Sequence, residues 1–315
     1  MRLAIIDIGT NTINLLVADT KPNGAYNIIS STKVTARLGK GGINDGRLTP
    51  EAIKRGLDAI DTHMKTLASL GKVDKIVAVG TSAMRNAANA DEFSKAVEEK
   101  YGFGIRIISG EEEARMIFDG VKQVMPLGRE RVLILDIGGG SCEFIIANKD
   151  GVAWAHSYEL GMARILDKFH PSDPITHKEV MAIEAYIRQG VSQEGANLYD
   201  AIRNFPATTL VGTSGSFDTI ASLVAARNHP LLNVALSTSY EIPMPSFDET
   251  YRKLIASTAD ERKTMGNMDQ ARIDLIVPGA IFINFVLTEL KMERLYQCGF
   301  ALKQGSVLNF ATEEK

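Results

Sequence analysis

Cysteine is nearly absent. The 315 residues hold two, Cys142 and Cys298, too few for a disulfide framework and without metal-ligand spacing. That usage fits a reducing, cytoplasmic setting. Long apolar runs are missing as well. The longest, Leu275 to Leu287, is broken by Pro278, Gly279 and Asn284 and is too short to cross a bilayer. The apolar start of the chain is cut by Asp7 after a few residues, so neither a secretory leader nor membrane association is expected. Nor is there a basic excess: 35 Lys and Arg stand against 38 Asp and Glu, a formal charge of −3. That balance argues against a general nucleic-acid binder. The five histidines (His63, His156, His170, His177, His229) show no metal or triad spacing. No nucleophilic serine elbow occurs, and the Gly-rich loop ending in Lys-Ser/Thr is absent.

What the chain does contain is one glycine turn, twice. Asp7-Ile8-Gly9-Thr10-Asn11 follows the apolar run Leu3-Ala4-Ile5-Ile6, and Asp136-Ile137-Gly138-Gly139-Gly140-Ser141 follows Val132-Leu133-Ile134-Leu135. Each re-enters an apolar run at the same distance, as Leu15-Leu16-Val17 and as Phe144-Ile145-Ile146. Strand, Asp, glycine turn and strand make a hairpin whose tip bares backbone N–H groups, since glycine allows the bend and the close approach. A concave row of such donors seats phosphate oxygens. A second signature repeats in the same order: Val79-Gly80-Thr81-Ser82-Ala83 recurs as Val211-Gly212-Thr213-Ser214-Gly215. The offsets, 136 − 7 = 129 and 212 − 80 = 132, nearly agree. The pattern predicts a duplicated pair of α/β domains, 1–125 joined by a returning C-terminal helix within 301–315, and 126–300, with the boundary at Met125-Pro126-Leu127-Gly128.

In the first copy a third strand is expected near Tyr26–Ser31 and a helix from Thr49-Pro50-Glu51 to about Leu70. Thr49 serves as its N-cap and proline as its first residue. Lys75–Val79 and Ile105–Ile108 read as strands, Asp91–Tyr101 as a helix, and Ser109-Gly110-Glu111-Glu112-Glu113 opens a helix to about Val124. In the second copy strands are expected near Val132–Asp136, Glu143–Asn148 and Val152–Glu159, and helices near Thr176–Gln193 and Ser214–Ala226. Asn228 to Pro245 has no counterpart and reads as loop or insertion. Helices near Glu249–Ser257, Gln270–Ile276 and Gly279–Leu290, a strand at Arg294–Gln297 and a helix from Ala301 to Ala311 complete the pattern.

Several residues could carry chemistry. Asp7 and Asp136 end buried-type strands, where a carboxylate could hold Mg²⁺ or another divalent cation near phosphate. A turn Asp bonding its own loop is the plainer alternative. Gly138, Gly139 and Gly140 leave the backbone bare, and the Ser141 hydroxyl adds a donor, which makes the second turn the stronger phosphate cradle. Glu143 breaks an apolar strand beside it, and Asn14 stands at the equivalent place in the first copy. Arg85 could grip phosphate with its fork, or lie on the surface. Glu111, Glu112 and Glu113 open a helix, where the macrodipole favours acids whatever their function. From Thr20 to Asn44 there are cations (Lys21, Lys33, Arg37, Lys40) and no acid, either a local concentration of positive charge for a polyanionic substrate or a solvated loop edge.

The duplicated hairpins resemble the superfamily of actin, the sugar kinases and the heat-shock ATPases. The runs Asp7-Ile8-Gly9-Thr10-Asn11-Thr12, Gly80-Thr81-Ser82-Ala83-Met84-Arg85, Ser109-Gly110-Glu111-Glu112-Glu113-Ala114-Arg115, Asp136-Ile137-Gly138-Gly139-Gly140-Ser141-Cys142-Glu143 and Gly212-Thr213-Ser214-Gly215 resemble, more closely, the exopolyphosphatase / guanosine pentaphosphate phosphohydrolase family. The resemblance covers nearly the whole chain. It implies two ribonuclease H-like (actin-like ATPase) domains of mixed sheet flanked by helices, with a cleft between them. It implies release of terminal phosphate from inorganic polyphosphate or, alternatively, from guanosine pentaphosphate.

The same resemblance assigns Glu113 as the catalytic glutamate, Glu143 as a second carboxylate, and Asp136 as magnesium-associated, with Glu143 and Asp7 as further metal candidates. It places Gly138, Gly139, Gly140, Ser141 and Arg85 around phosphate. Asn11, Thr12, Gly212, Ser214 and Gly215 are further phosphate-binding candidates, and the cations Arg37 and Lys40 are read as guides for a polyanion. Cys142 departs from the small residue usual before the second glutamate. Longer members continue into helical domains beyond the equivalent of Lys315. A non-catalytic guanosine penta- or tetraphosphate sensor, a kinase on the same scaffold and an actin-like filament protein are the rival classes, and exposed linking segments would permit a homodimer.

Overall fold

The computed structural model describes residues 1–312; positions 313–315 of the expected C-terminal stretch lie outside the described residues. The chain divides into two compact units, Met1–Gly120 with the segment from Leu302 onward, and Val121–Ala301.

The first unit opens with β1 (Arg2–Ile8), β2 (Thr12–Thr20) and β3 (Tyr26–Thr35), an antiparallel meander. Helix α1 (Pro50–Ser69), β4 (Lys75–Gly80), α2 (Ser82–Asn86), α3 (Ala90–Tyr101), β5 (Ile105–Ile107) and α4 (Gly110–Val121) follow. The sheet runs β3-β2-β1-β4-β5, with β1/β4 and β4/β5 parallel. β1 lies in the middle, which is why Leu3 to Ile6 are wholly buried and read as one apolar run. The Thr49 hydroxyl caps α1 by accepting from the Ala52 N–H at 3.1 Å, with Pro50 where no intrahelical donor is needed. Gly71, at φ 84°, lies in the left-handed region just past the helix end. Helix α12 (Leu302–Thr312) belongs to this unit and packs on β1 and β2.

The second unit holds β6 (Arg131–Ile137), β7 (Cys142–Asn148), β8 (Gly151–Tyr158), α5 (Met162–Phe169), α6 (His177–Val191), the two-residue pair β9 (Ser192–Gln193) and β10 (Ala196–Asn197), and α7 (Leu198–Asn204). Then come β11 (Ala207–Thr213), α8 (Ser214–Asn228), β12 (Ser239–Glu241), α9 (Met244–Ala256), α10 (Ala259–Thr264), α11 (Ile276–Glu289) and β13 (Arg294–Cys298). Its sheet runs β12-β13-β11-β6-β7-β8. Read from β8, the order and the strand directions repeat those of the first unit, with β12 added at the edge. The copies share a defect too. The β2–β3 pairing shifts register between Val17 and Ala18, and the β7–β8 pairing between Ile146 and Ala147. That offset is again 146 − 17 = 129.

Several expectations need correction. Asn228 to Pro245 is not only loop, because it contributes a 3₁₀ turn (Val234–Leu236) and β12, an edge strand of three residues too short to show a period. α9 begins at Met244, not Glu249, since Pro245 is tolerated in a first turn. α11 likewise begins at Ile276 with Pro278 in its first turn, and Gln270–Arg272 is a 3₁₀ turn, not a helix. α5, α7 and α10 were not expected at all.

Candidate active site

Each glycine turn closes in the same way. Gly9 N–H donates to the Thr12 carbonyl at 3.1 Å and Gly138 N–H to the Ser141 carbonyl at 3.0 Å. A Cβ on either glycine would come within 2.9 Å or 2.8 Å of that same oxygen, so the turn needs glycine there. The remaining carbonyls are tied down from behind. In the first unit the Thr10 carbonyl accepts from Gly39, and the Asn11 carbonyl from Ala36 and Arg37. In the second, the start of α5 does this work: Met162, Ala163 and Gly161 N–H groups donate to the carbonyls of Gly138, Gly139 and Gly140 at 3.0, 2.8 and 3.1 Å. Helix-start donors that lack intrahelical partners are thereby satisfied. A trans peptide points its N–H opposite to its C=O, so the loop's donors face away from α5. Among the described residues, the N–H groups of Gly139 and Gly140, and of Thr10 and Asn11, donate to nothing. The Thr10 hydroxyl is also buried without a partner.

The carboxylates stand in register across each hairpin. Asp136 is opposite Glu143, and Asp7 is opposite Asn14, which donates to Asp7 Oδ2 at 2.8 Å. Asp136 is held by hydroxyls: Thr213 Oγ1 donates at 2.8 Å and Ser214 Oγ at 2.7 and 2.8 Å. Burial pushes the Asp136 carboxyl above its ordinary pKa, against those hydroxyls and the positive charge of Arg272. Glu143 Oε1 accepts from Ser141 and Ser157, both at 2.7 Å. A hydroxyl has one proton, so the Ser141 hydroxyl serves Glu143, and the cradle's donors are backbone N–H groups.

Two paired carboxylates supplying hard oxygen donors suit Mg²⁺, which takes one or two carboxylates and completes its shell with water and phosphate. Among the described residues no group of three or more His, Cys, Asp or Glu is gathered as a metal cage.

Glu113 sits in the first turn of α4 and is almost buried. Arg85 Nη1 pairs with its Oε2 at 2.9 Å, so the guanidinium meets a carboxylate within its own unit. Glu112 turns the other way, capping α4 through the Ser109 N–H at 2.9 Å. Arg37 adopts a left-handed backbone, φ 48°, with its carbonyl gripped by Arg55 at 2.7 Å; Lys40 beside it is exposed. Asn11 Nδ2 reaches the Thr12 hydroxyl at 3.4 Å. Gly212 and Gly215 have packing reasons for being glycine: a Cβ would lie 2.0 Å from the Phe217 ring and 1.8 Å from the Arg272 guanidinium. Ser214 carries positive φ, 69°, a strained junction that aims its hydroxyl at Asp136.

Three contributors escaped the sequence reading. Ser157 and Thr213 hold the two carboxylates, and Arg272 lies against Gly215, its pKa lowered by burial despite Asp218, Asp269 and Asp136 nearby. Thr213 could have been found from the repeat of Gly80-Thr81-Ser82; nothing local marks the other two.

Comparison with known proteins follows the same lines. Residues 16–314 match the Ppx/GppA phosphatase family. A crystal structure of an exopolyphosphatase from Cytophaga hutchinsonii superposes with a TM-score of 0.94 at 32% identity, over 100% of this chain and 99% of that one. Exopolyphosphatase 2 of Mycobacterium tuberculosis is 30% identical over 92% of this chain and 91% of its own length. A guanosine-5'-triphosphate,3'-diphosphate pyrophosphatase of Aeromonas hydrophila is 26% identical over 96% of this chain, which spans 58% of that protein.

Proposed function

The chain belongs to the Ppx/GppA phosphatase family, and on that premise we propose that it is an exopolyphosphatase, releasing orthophosphate from the end of inorganic polyphosphate. The observation that carries this reading is the pair of adjacent, unpartnered N–H groups at Gly139 and Gly140, whose carbonyls are already fixed. Preorganised donors of this kind stabilise charge on a transferring phosphoryl group without rearranging. Phosphoryl transfer asks for little else than positioning and charge.

The terminal phosphoryl oxygens take the Gly139 and Gly140 N–H groups. Glu113 orients the attacking water and accepts its proton as the water oxygen bonds to phosphorus. The bridging P–O bond breaks, and the shortened chain leaves with the electron pair. Arg85 fixes the Glu113 carboxylate, and Arg37 and Lys40 draw the polyanion in. Asp136 and Glu143 would hold Mg²⁺, which when bound neutralises phosphate charge; Asp7 and Asn11 support the first turn. The two thiols are buried and unpaired, which supports a cytoplasmic setting. Among the described residues no helix is long and apolar enough to cross a membrane.

The test is phosphate release with Mg²⁺, comparing long polyphosphate, short polyphosphate, guanosine pentaphosphate and ATP at equal concentration. Preference for polyphosphate supports the proposal. Preference for guanosine pentaphosphate turns it to the related phosphohydrolase, and tight binding of that nucleotide with no release from any substrate turns it to a sensor.

A further inference from the structure

The Gly140 carbonyl is held more firmly than its neighbours. It accepts from the Gly161 N–H and also from Arg164 Nε, at 2.8 Å, whereas the carbonyls of Gly138 and Gly139 each take one backbone donor from the α5 start. Arg164 lies in the first turn of α5, and its side chain is only 10% exposed. Glu159 Oε2 receives its Nη2 at 2.7 Å, so the guanidinium is gripped from the far side and cannot swing away.

The need for such a hold follows from the glycines. A peptide between Gly140 and Ser141 can flip at small cost, because glycine accepts nearly any backbone angle. A flip would turn the Gly140 carbonyl oxygen toward the phosphate, where its negative end would repel the anion. A charge-assisted bond to that carbonyl oxygen opposes the flip more strongly than a neutral one does. The guanidinium also puts a positive charge behind the cradle without touching its contents.

We propose that Arg164 is a positioning residue of the phosphate cradle, locking the Gly140–Ser141 peptide so that its carbonyl oxygen stays turned away from the bound phosphate. The proposal rests on the reading of this loop as the phosphate seat.

It is tested with Arg164→Ala and Arg164→Lys, measuring orthophosphate binding by calorimetry, kcat and KM on polyphosphate, and the melting temperature. Arg164→Ala should bind orthophosphate about ten- to a hundredfold more weakly, the scale of losing a charged hydrogen bond, with Arg164→Lys intermediate. Methylguanidinium added to Arg164→Ala should restore part of the lost affinity and leave the wild type unchanged. Unaltered orthophosphate affinity in Arg164→Ala overturns the proposal. So does a loss that only tracks the melting temperature and does not respond to methylguanidinium. A wild type that binds orthophosphate but releases none from polyphosphate defeats the proposed activity alone, since orthophosphate affinity still decides the role of Arg164. A wild type that binds no orthophosphate defeats both.

Discussion

Arg85 Nη1 lies 2.9 Å from Glu113 Oε2 and 3.1 Å from the carbonyl oxygen of Ile108. One guanidinium nitrogen thus ties the first turn of α4 to the end of the strand before it. The carboxylate is fixed in place before any substrate arrives, which is the preorganisation a water-orienting group needs.

Glu113→Gln keeps the shape and can still accept from Arg85, but it cannot take a proton. Turnover of polyphosphate should fall by about 10²-fold or more, the usual size of a general-base contribution, with the melting temperature nearly unchanged. Near-normal kcat in steady-state assays would remove Glu113 from the mechanism.

Gly161→Ala tests the rear wall of the cradle. Its backbone is ordinary, φ −66°, so only sterics matter. The new methyl would sit 2.3 Å from Gly139 C and O and from Gly140 N. Overpacking of this kind costs about 1–3 kcal/mol, and kcat/KM should drop by at least about tenfold as the loop is pushed out of line. Wild-type kinetics together with a wild-type melting curve would show that the loop tolerates the displacement.

Gly305→Ala probes the seat of α12. A Cβ there would lie 1.7 Å from the Met116 carbonyl and 3.1 Å from the Gly120 nitrogen, so α12 must move off α4. We expect a loss of about 1–3 kcal/mol and reduced turnover, because Glu113 is one turn before Met116 on the same helix. Gly266→Ala, which meets nothing within 4 Å, is the control. Equal melting temperatures for the two variants would contradict the close packing.

His63 gives a pH dependence. It is fully buried on α1, with Nε2 2.9 Å from the Ile13 carbonyl and Nδ1 3.3 Å from the Thr32 hydroxyl. Burial lowers its pKa below 6.5, against the Ile13 bond and with Lys303 adding to the shift. The unfolded chain therefore binds the proton more readily than the folded one, and stability rises with pH across that interval. Its contribution is complete above the unfolded pKa and is lost as pH falls from about 6.5 toward the lower folded value. Urea unfolding between about pH 5 and about pH 8 should show this slope, and His63→Gln should flatten it. An unchanged slope in that variant would assign the effect to other groups.

Much of the architecture was readable because its signals are local. An apolar run, an Asp and a glycine turn specify each hairpin, and Thr49-Pro50 marks the start of α1 by capping chemistry alone. Ser157 was hidden for a concrete reason. The hairpin at Asn148 and Gly151 would pair Glu143 with His156, but the register shift between Ile146 and Ala147 moves the partner on by one residue, to Ser157. A bulge of that kind leaves no mark in an apolar run. α5 was invisible because its eight residues follow a strand without a capping side chain; Gly161 stands at its N-cap. Gly212 and Gly215 also have a packing reason to be glycine that no local pattern announces: Phe217 and Arg272 fill the space a side chain would take.

The return of α12 to β1 and β2 has a consequence for synthesis. All of the second unit, Val121 to Ala301, leaves the ribosome before the helix that completes the first. The first unit therefore waits, with the side of its central strands that α12 covers still open, while the second closes. Domains fold as units as they emerge, so here the half begun earlier is finished later. Ribosome-bound chains halted just short of Leu302 should protect the second sheet from amide exchange and leave β1 and β2 exchanging.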